Sequence, residues 1–232
     1  MVKMKKVIFG LSCLLILVII FFSGYLVYIG RVKNMLEYQE ININMPYIQN
    51  IYHSVVLENN LDSRFDFYTE EKMNNTYLLN LGIQNTSSNS ISFKDIKKNI
   101  KNLTNYQTIY PHTICGYEYI ASTQSFNKTD NCNVIQNYNF YTQLSSAKEN
   151  DVDLILEEKN IFYTKDFIND NYYITLYKDT TQKEVIDYFS ISEENELNQI
   201  ISNYMDKASI YQYTFEKKNN HYIFKEIKKI NA

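Results

Sequence analysis

A run of 23 residues without a charge, from Val7 to Ile29, is the feature that most constrains this chain. At about 1.5 Å per helical residue, such a run spans roughly the 30 Å hydrocarbon thickness of a bilayer. Tyr25 and Tyr28 lie one helical turn apart near its end, where tyrosine rings favour the lipid headgroup region. The run therefore predicts a transmembrane helix over residues 7–29.

Two other interpretations of this segment are open. Lys3, Lys5 and Lys6 precede an apolar core, as in a secretory signal peptide, but signal-peptide cores run about 7 to 15 residues and end at a small-x-small site. A lipoprotein signal would require Cys13 to follow the apolar run, whereas most of the run lies after this cysteine. We therefore expect an uncleaved membrane anchor.

Basic residues around the apolar run predict its orientation. Three lysines precede the run, Arg31 and Lys33 follow it, and a short N-terminal tail is easily retained in the cytoplasm. We expect residues 1–6 to form a cytoplasmic tail, residues 30–63 a juxtamembrane helical stalk, and residues 64–232 an extracytoplasmic domain.

The chain beyond the run is acidic. After Lys33 it carries 18 basic and 26 acidic side chains, a net charge near −8. This charge disfavours binding to nucleic acid or anionic lipid through bulk electrostatics. Abundant Tyr, Asn, Ile and Lys, with few Gly and Pro, are typical of an AT-rich genome. Together with the short lysine-rich N-terminus and the single predicted span, this bias favours a bacterial source. The 22 tyrosines are therefore weak grounds for a carbohydrate-binding surface.

Apolar periodicity predicts an α+β domain with a mainly antiparallel sheet. Helical spacing and capping-box sequences predict helices over residues 46–57, 93–103, 181–189 and 190–204. Alternation of apolar and polar residues predicts strands over residues 65–69, 77–83, 152–156, 161–164, 172–177, 210–216 and 222–227. We expect the first two strands to form one hairpin and the last two another. The apolar side of the 46–57 helix is expected to pack on the domain itself.

Only two of the three cysteines, Cys115 and Cys132, lie beyond the predicted span. An isolated pair outside the cytoplasm predicts one structural disulfide. Closing a loop of about 15 residues would stabilise the fold by roughly 3 kcal/mol in the chain-entropy model.

His112, Cys115, Cys132 and His221 are residue types that bind zinc, but no Cys-x-x-Cys pair supports such a site. Cys115 would act as a nucleophile only with a lowered thiol pKa and with His112 or His53 within hydrogen-bonding reach. We therefore expect no metal, no cofactor and no thiol chemistry.

Asp151, Asp153, Glu157 and Glu158 are the residue types that hold a hard cation or act as a general acid and base. On a strand the first three would share one face, which we expect to be the solvent face. No glycine-rich phosphate loop or Gly-x-Ser-x-Gly turn is present.

The sequence thus predicts a single-pass membrane protein with a non-enzymatic interaction, assembly or scaffolding role and protein partners in the cell envelope. The alternatives are a small-ligand-binding or sensing domain, and an envelope hydrolase whose site assembles from distant residues. The sequence sets neither the identity of the partner nor the oligomeric state.

Overall fold

The N-terminal helix stands apart from the two hydrophobic cores described below. The computed structural model describes residues 18–33, 37–56, 75–84, 86, 88–106, 108–132, 138–219 and 221–230. Residues 18–33 are helical (α1), and the side chains from Val18 to Ile29 are exposed. Within this described part of the chain, no helix is both long and apolar enough to cross a membrane. The predicted transmembrane helix over residues 7–29 is thus unsupported by the fold, and residues 7–17 lie outside the described ranges.

The predicted α+β architecture with mainly antiparallel sheets is confirmed. The other helices are α2 (Pro46–Val55), α3 (Asn75–Gln84), α4 (Phe93–Leu103) and α5 (Leu197–Ser202), the last preceded by a 3₁₀ turn at Glu194–Glu196. The strands among the described residues are β1 (Gln39–Glu40), β2 (Ser90–Ser92), β3 (Tyr117–Ile120), β4 (Ser125–Lys128), β5 (Asn139–Glu149), β6 (Asp153–Ile168), β7 (Asn171–Tyr177), β8 (Val185–Ile191), β9 (Ser209–Lys218) and β10 (His221–Ile230).

Strand β6 is the central strand of a seven-stranded antiparallel sheet. One edge of β6 pairs with β5, which in turn pairs with the short β1. The other edge pairs with β9 over Asp153–Asn160 and with β7 over Phe162–Ile168. Strand β10 follows β9, and β8 follows β7. A separate three-stranded sheet has the order β2-β4-β3.

Strands β7 and β9 lie end to end along the same edge of β6. Tyr177, the last residue of β7, pairs with Phe162, and Ser209, the first residue of β9, pairs with Asn160. Between them the chain leaves the edge of β6 to form β8, the 3₁₀ turn and α5. Residues 162–208, which include the second half of β6, are called the extension below.

Two hydrophobic cores pack on opposite faces of β6. The larger core places α2, α3 and α4 against the face that carries Leu154, Leu156 and Phe162. The smaller core places α5 against the opposite face, which carries Ile161 of β6 together with Ile174 and Leu176 of β7. Side chains alternate along a strand, so the odd and even positions of β6 reach the two cores.

Helices α3 and α4 are in close contact at Gly82. A Cβ atom at this position would lie 2.7 Å from Cγ2 of Ile96 and 2.9 Å from Cγ1 of Ile100. Both isoleucines are fully buried. The helices can approach this closely because glycine has no side chain.

Several predicted elements are confirmed. Helix α2 begins at Pro46, and Ile48, Tyr52 and Val55 are buried against the domain, as expected. The Ser92 hydroxyl accepts a hydrogen bond from the Asp95 amide (3.1 Å) at the start of α4. The predicted closing hairpin is β9 and β10.

Two predicted elements are of the wrong type, and the two strands predicted over 152–156 and 161–164 are a single strand, β6. Residues 77–83 form part of α3 instead of a strand, because a short apolar run buried on nearly every side suits either structure. The predicted helix over 181–189 is replaced by β8. In the segment before β8, the Asp179 carboxylate accepts hydrogen bonds from the amide (3.0 Å) and the hydroxyl (2.6 Å) of Thr181. Gln182 has a positive φ of 58°. The capping-box sequence therefore forms a turn instead of the start of a helix. The predicted strand over 65–69 lies outside the described residues.

Candidate functional site

His112 is held in a structural contact by the start of α3. The Asn75 side chain accepts a hydrogen bond from the Tyr110 amide (2.8 Å) and donates one to the Tyr110 carbonyl (2.6 Å), which fixes its orientation. Its Nδ2 also lies 3.0 Å from Nδ1 of His112 and therefore donates to that nitrogen. In the neutral ring Nε2 then carries the proton and donates to Oγ1 of Thr76 at 3.0 Å. In this arrangement His112 does not take a proton from Thr76.

Cys115 and Cys132 lie at disulfide distance, with their Cα atoms 4.3 Å apart. They stand on either side of the β3–β4 hairpin, where the Gly116 amide also donates to the Asn131 carbonyl (3.2 Å). Among the residues that the structure describes, no group of three or more His, Cys, Asp and Glu side chains is placed to hold a metal ion.

The acidic residues of β6 point to both faces of the sheet. Glu157 lies on the face opposite α2 and accepts hydrogen bonds from Lys148 (3.0 Å), Ser146 (2.9 Å) and Gln212 (3.3 Å). Partial burial alone would raise the pKa of the Glu157 carboxyl, but the hydrogen bonds and the charge of Lys148 outweigh burial and lower it. Glu157 is therefore a partner in a polar network. Asp153 shares its face, and Asp151 lies in the preceding turn.

Glu158 is a buried hydrogen-bond acceptor, a role that the sequence interpretation did not distinguish from that of Glu157. Its side chain is fully buried beneath α2 and accepts hydrogen bonds from the hydroxyls of Tyr52 (2.5 Å) and Tyr213 (3.2 Å). The sequence could have indicated this burial, because Glu158 falls on the same face of β6 as Leu154 and Leu156, two and four positions earlier. These contacts join α2 to the sheet.

A polar surface pocket of about 530 Å³ lies at the β9–β10 turn. Its lining residues are Asp151, Lys217, Asn219, His221 and Tyr222. Two of these lining residues contact Glu149, which accepts a hydrogen bond from the Tyr222 hydroxyl (3.0 Å) and pairs with Lys217 (2.9 Å). Burial and the hydrogen bond to Glu149 raise the pKa of Tyr222, so its hydroxyl stays a donor. The lysine and the phenol are thus both engaged by Glu149.

A smaller pocket of about 210 Å³ lies where β7 and β9 meet. Lys178, Lys207 and Lys229 line it together with Glu184. Lys178 pairs with Glu184 (3.6 Å), and Lys229 pairs with Asp179 (3.3 Å), so most of the positive charge is locally balanced.

The extension presents an exposed face with apolar and aromatic side chains. Cross-strand pairing places Ile168, Tyr173, Thr175, Val185 and Tyr188 on the side opposite α5, and these five residues are called the extension face below. Tyr188 and Val185 are each 59% exposed and Ile168 is 53% exposed. The rings of Tyr173 and Tyr188 are stacked, with their centroids 6.4 Å apart.

The extension face lies beside an edge strand. Among the described residues, β8 is the last strand on its side of the main sheet. The sequence interpretation missed this surface because it predicted a helix where β8 lies.

Comparison with protein-family models, with curated proteins and with solved structures finds no match for this chain.

Proposed function

We propose that this chain is a single-pass bacterial membrane protein with its α+β domain outside the cytoplasm. In this proposal the domain binds protein partners and has an assembly or scaffolding role in the cell envelope. The extension face carries the proposal. Its exposed Tyr188, Val185 and Ile168 combine aromatic and aliphatic area with few charges. Aromatic enrichment and charge depletion mark the centres of protein interfaces.

The uncharged run from Val7 to Ile29 supports the tether. Its residues from Val18 onward are helical and expose their apolar side chains. A bilayer would cover such side chains at a gain of about 25 cal/mol per Å² of apolar surface.

The alternative functions remain predictions. A small-ligand site favours a deep apolar pocket, whereas the pocket at the β9–β10 turn is open and lined by polar residues. A hydrolase needs a base beside a nucleophile, whereas the His112 ring donates to Thr76. The polar pocket therefore does not favour ligand binding, and the His112–Thr76 hydrogen bond does not favour hydrolysis.

Site-specific photocrosslinking in living cells tests the proposed function. A photoreactive amino acid would replace Tyr188 on the extension face in the full-length chain. We expect irradiation to produce discrete protein adducts, because the exposed ring lies where a partner would bind. The matched control carries the same amino acid at Lys98, on the exposed side of α4.

Adducts at position 188 that exceed those at position 98 are the expected result. Equal adduct formation at both positions, or none at position 188, would contradict the proposed function. Adducts with any protein support it, whatever the identity of that protein.

A further inference from the structure

The chain enters the main sheet at one end, beside the β5–β6 turn. Strand β1 is antiparallel to β5, and its first residue, Gln39, pairs with Glu149, the last residue of β5. The next residue, Glu40, pairs with Lys148, so β1 runs away from the turn. The chain that arrives from α1 therefore reaches the sheet from the side of this turn.

The β9–β10 turn lies at the same end of the sheet. The Lys217 amide donates a hydrogen bond to the Val152 carbonyl (2.7 Å), and the Lys217 ammonium group donates one to the Asn150 carbonyl (3.0 Å). The two turns thus form one surface. The exposed side chains that define this surface, called the turn end below, are Tyr38, Val152, Lys218 and His221.

The connection from α1 to β1 is short. The Glu37 amide donates a hydrogen bond to the Lys33 carbonyl (2.9 Å), so Glu37 lies within one helical turn of the end of α1. Gln39 follows after two residues, which span about 7 Å when extended. Ile29, the last residue of the uncharged run, lies about 6 Å before Lys33 along the helix. Gln39 is therefore within about 20 Å of the uncharged run, of which a lipid headgroup layer would occupy about 5–8 Å.

The side chains of the turn end suit the boundary between lipid and water. Tyr38 and Val152 are each 38% exposed, and tyrosine rings favour the headgroup region. Lys218 can place its ammonium group on a lipid phosphate while its aliphatic stem lies along apolar surface. Asp151 is exposed in the same turn, so this end of the sheet carries both signs of charge. Zwitterionic phospholipid headgroups, which also carry both signs, are complementary to such a surface.

The extension lies toward the opposite end of β6. Strand β6 starts at Asp153, beside the turn end, and its 16 residues span about 50 Å to Ile168. Tyr188 of the extension face pairs with Thr175, which pairs with Thr164 of β6. This row of residues lies about 35 Å along β6 from its first residue.

We infer that the turn end rests on the phospholipid headgroups of the bilayer that holds the anchor, so that β6 rises from the membrane and carries the extension face about 35 Å above it. This inference rests on the proposed function, because it requires the anchor. It also narrows the class of partner. A protein that binds the extension face must itself reach well beyond the headgroups, so it has a folded domain in the same compartment.

Fluorescence quenching in vesicles tests this orientation. In a Cys13→Ala background, Val152→Cys and Lys218→Cys each place a fluorophore on the turn end, and Ile168→Cys is the matched control at the far end of β6, where the side chain is also exposed. The Cys115–Cys132 pair stays unreduced during labelling. The full-length chains are reconstituted in phosphatidylcholine vesicles with or without a nitroxide on the lipid headgroup. We expect the nitroxide to remove most of the fluorescence at positions 152 and 218 and none at position 168.

A fluorophore at Tyr28→Cys, near the end of the uncharged run, reports the anchor itself. We expect it to be quenched. Quenching at position 28 without quenching at position 152 or 218 would overturn the inference and leave the tether standing. Equal quenching at positions 152 and 168 would also overturn it, because the domain would then lie on its side. No quenching at position 28 would remove the tether and the inference together.

The labelled positions are exposed, so we expect each variant to keep the urea midpoint of the parent chain. Fluorescence is compared only among variants that do. Because positions 152 and 218 belong to different turns, one remains available if a label at the other disturbs the fold. A lack of quenching at either position in a chain with the parent midpoint contradicts the contact with headgroups.

Discussion

At the scale of single residues, buried polar side chains connect the elements of this fold. A buried carboxylate is costly unless hydrogen bonds replace its lost water. Glu158 gains such bonds from Tyr52 on α2 and Tyr213 on β9. The position of α2 therefore depends on a polar contact as well as on the apolar side chains around it.

Tyr52→Phe should lower the free energy of unfolding by about 1–3 kcal/mol, because it removes a donor from a buried acceptor and leaves the ring in place. Urea denaturation measures the change. The matched control is Tyr188→Phe, whose exposed hydroxyl should matter by less than about 0.5 kcal/mol. Equal effects of the two substitutions would show that the contact with Glu158 contributes nothing.

Lys148→Met should lower stability in a pH-dependent way. The folded-state pKa of Glu157 is below its usual value of 4.5, so the stabilisation by Lys148 is fully present above that pH and is lost as the pH falls through the lower folded pKa. We expect a loss of about 0.5–1 kcal/mol at neutral pH that shrinks in acid. Urea denaturation at several pH values measures it, with Lys98→Met as the control. A difference that is the same at neutral and acidic pH would contradict this prediction.

The sequence identified the acidic residues of the 151–158 segment as candidates, but it did not predict which of them is buried. Alternation alone places Glu158 on the same face as Leu154 and Leu156. The tyrosines that bind it come from α2 and from β9, more than 50 positions away on either side. Such long-range partners leave no local pattern, so only the folded chain identifies them.

At the scale of secondary-structure elements, the packing of α3 on α4 depends on one small residue. Gly82→Ala should destabilise the protein by about 1–3 kcal/mol through overpacking against Ile96 and Ile100. This exceeds the gain of up to about 1 kcal/mol that alanine brings in helix propensity. Urea denaturation measures the change, and Lys98→Ala on exposed α4 is the control. A Gly82→Ala chain as stable as the parent would contradict the close approach of the helices.

The Cys115–Cys132 pair should stabilise the β3–β4 hairpin as a disulfide. The two residues are 17 positions apart, and we expect reduction to cost roughly 3 kcal/mol by the chain-entropy model. Urea denaturation with and without reductant measures this. A chain with Cys115→Ser and Cys132→Ser is the control, because reductant should leave it unchanged. A parent chain that is equally insensitive to reductant contradicts a stabilising bond.

Elements were predictable where the local pattern and the tertiary environment agree. Helix α4 has both a cap at Ser92 and a regular apolar stripe, and the closing hairpin alternates cleanly on both strands. The two errors, at 77–83 and 181–189, arose where local signals were ambiguous. Helix α3 is buried on most sides and so has no clear period, and the residues around Asp179 use cap chemistry to build a turn.

At the scale of the whole molecule, the proposed tether predicts how the protein partitions in cells. The full-length chain should stay with membranes after an alkaline carbonate wash, and external protease should reach its domain. Val18→Lys, near the middle of the uncharged run, should weaken insertion by about 2.5–3.5 kcal/mol. Asn44→Lys, outside the run, is the control. Recovery of the parent chain in the soluble fraction would refute the tether.

The end-to-end arrangement of β7 and β9 makes residues 178–208 an insertion within what is otherwise one strand. Only position 161 of β6 separates the partners of Tyr177 and Ser209, and the Ser209 hydroxyl donates to the Lys178 carbonyl at 2.5 Å where the chain departs and returns. A single residue would bridge the gap, so the length of this segment can change without shifting the register between β6 and β9. The exposed residues of β8 in the proposed interaction surface can therefore diverge while the helix-covered core stays the same.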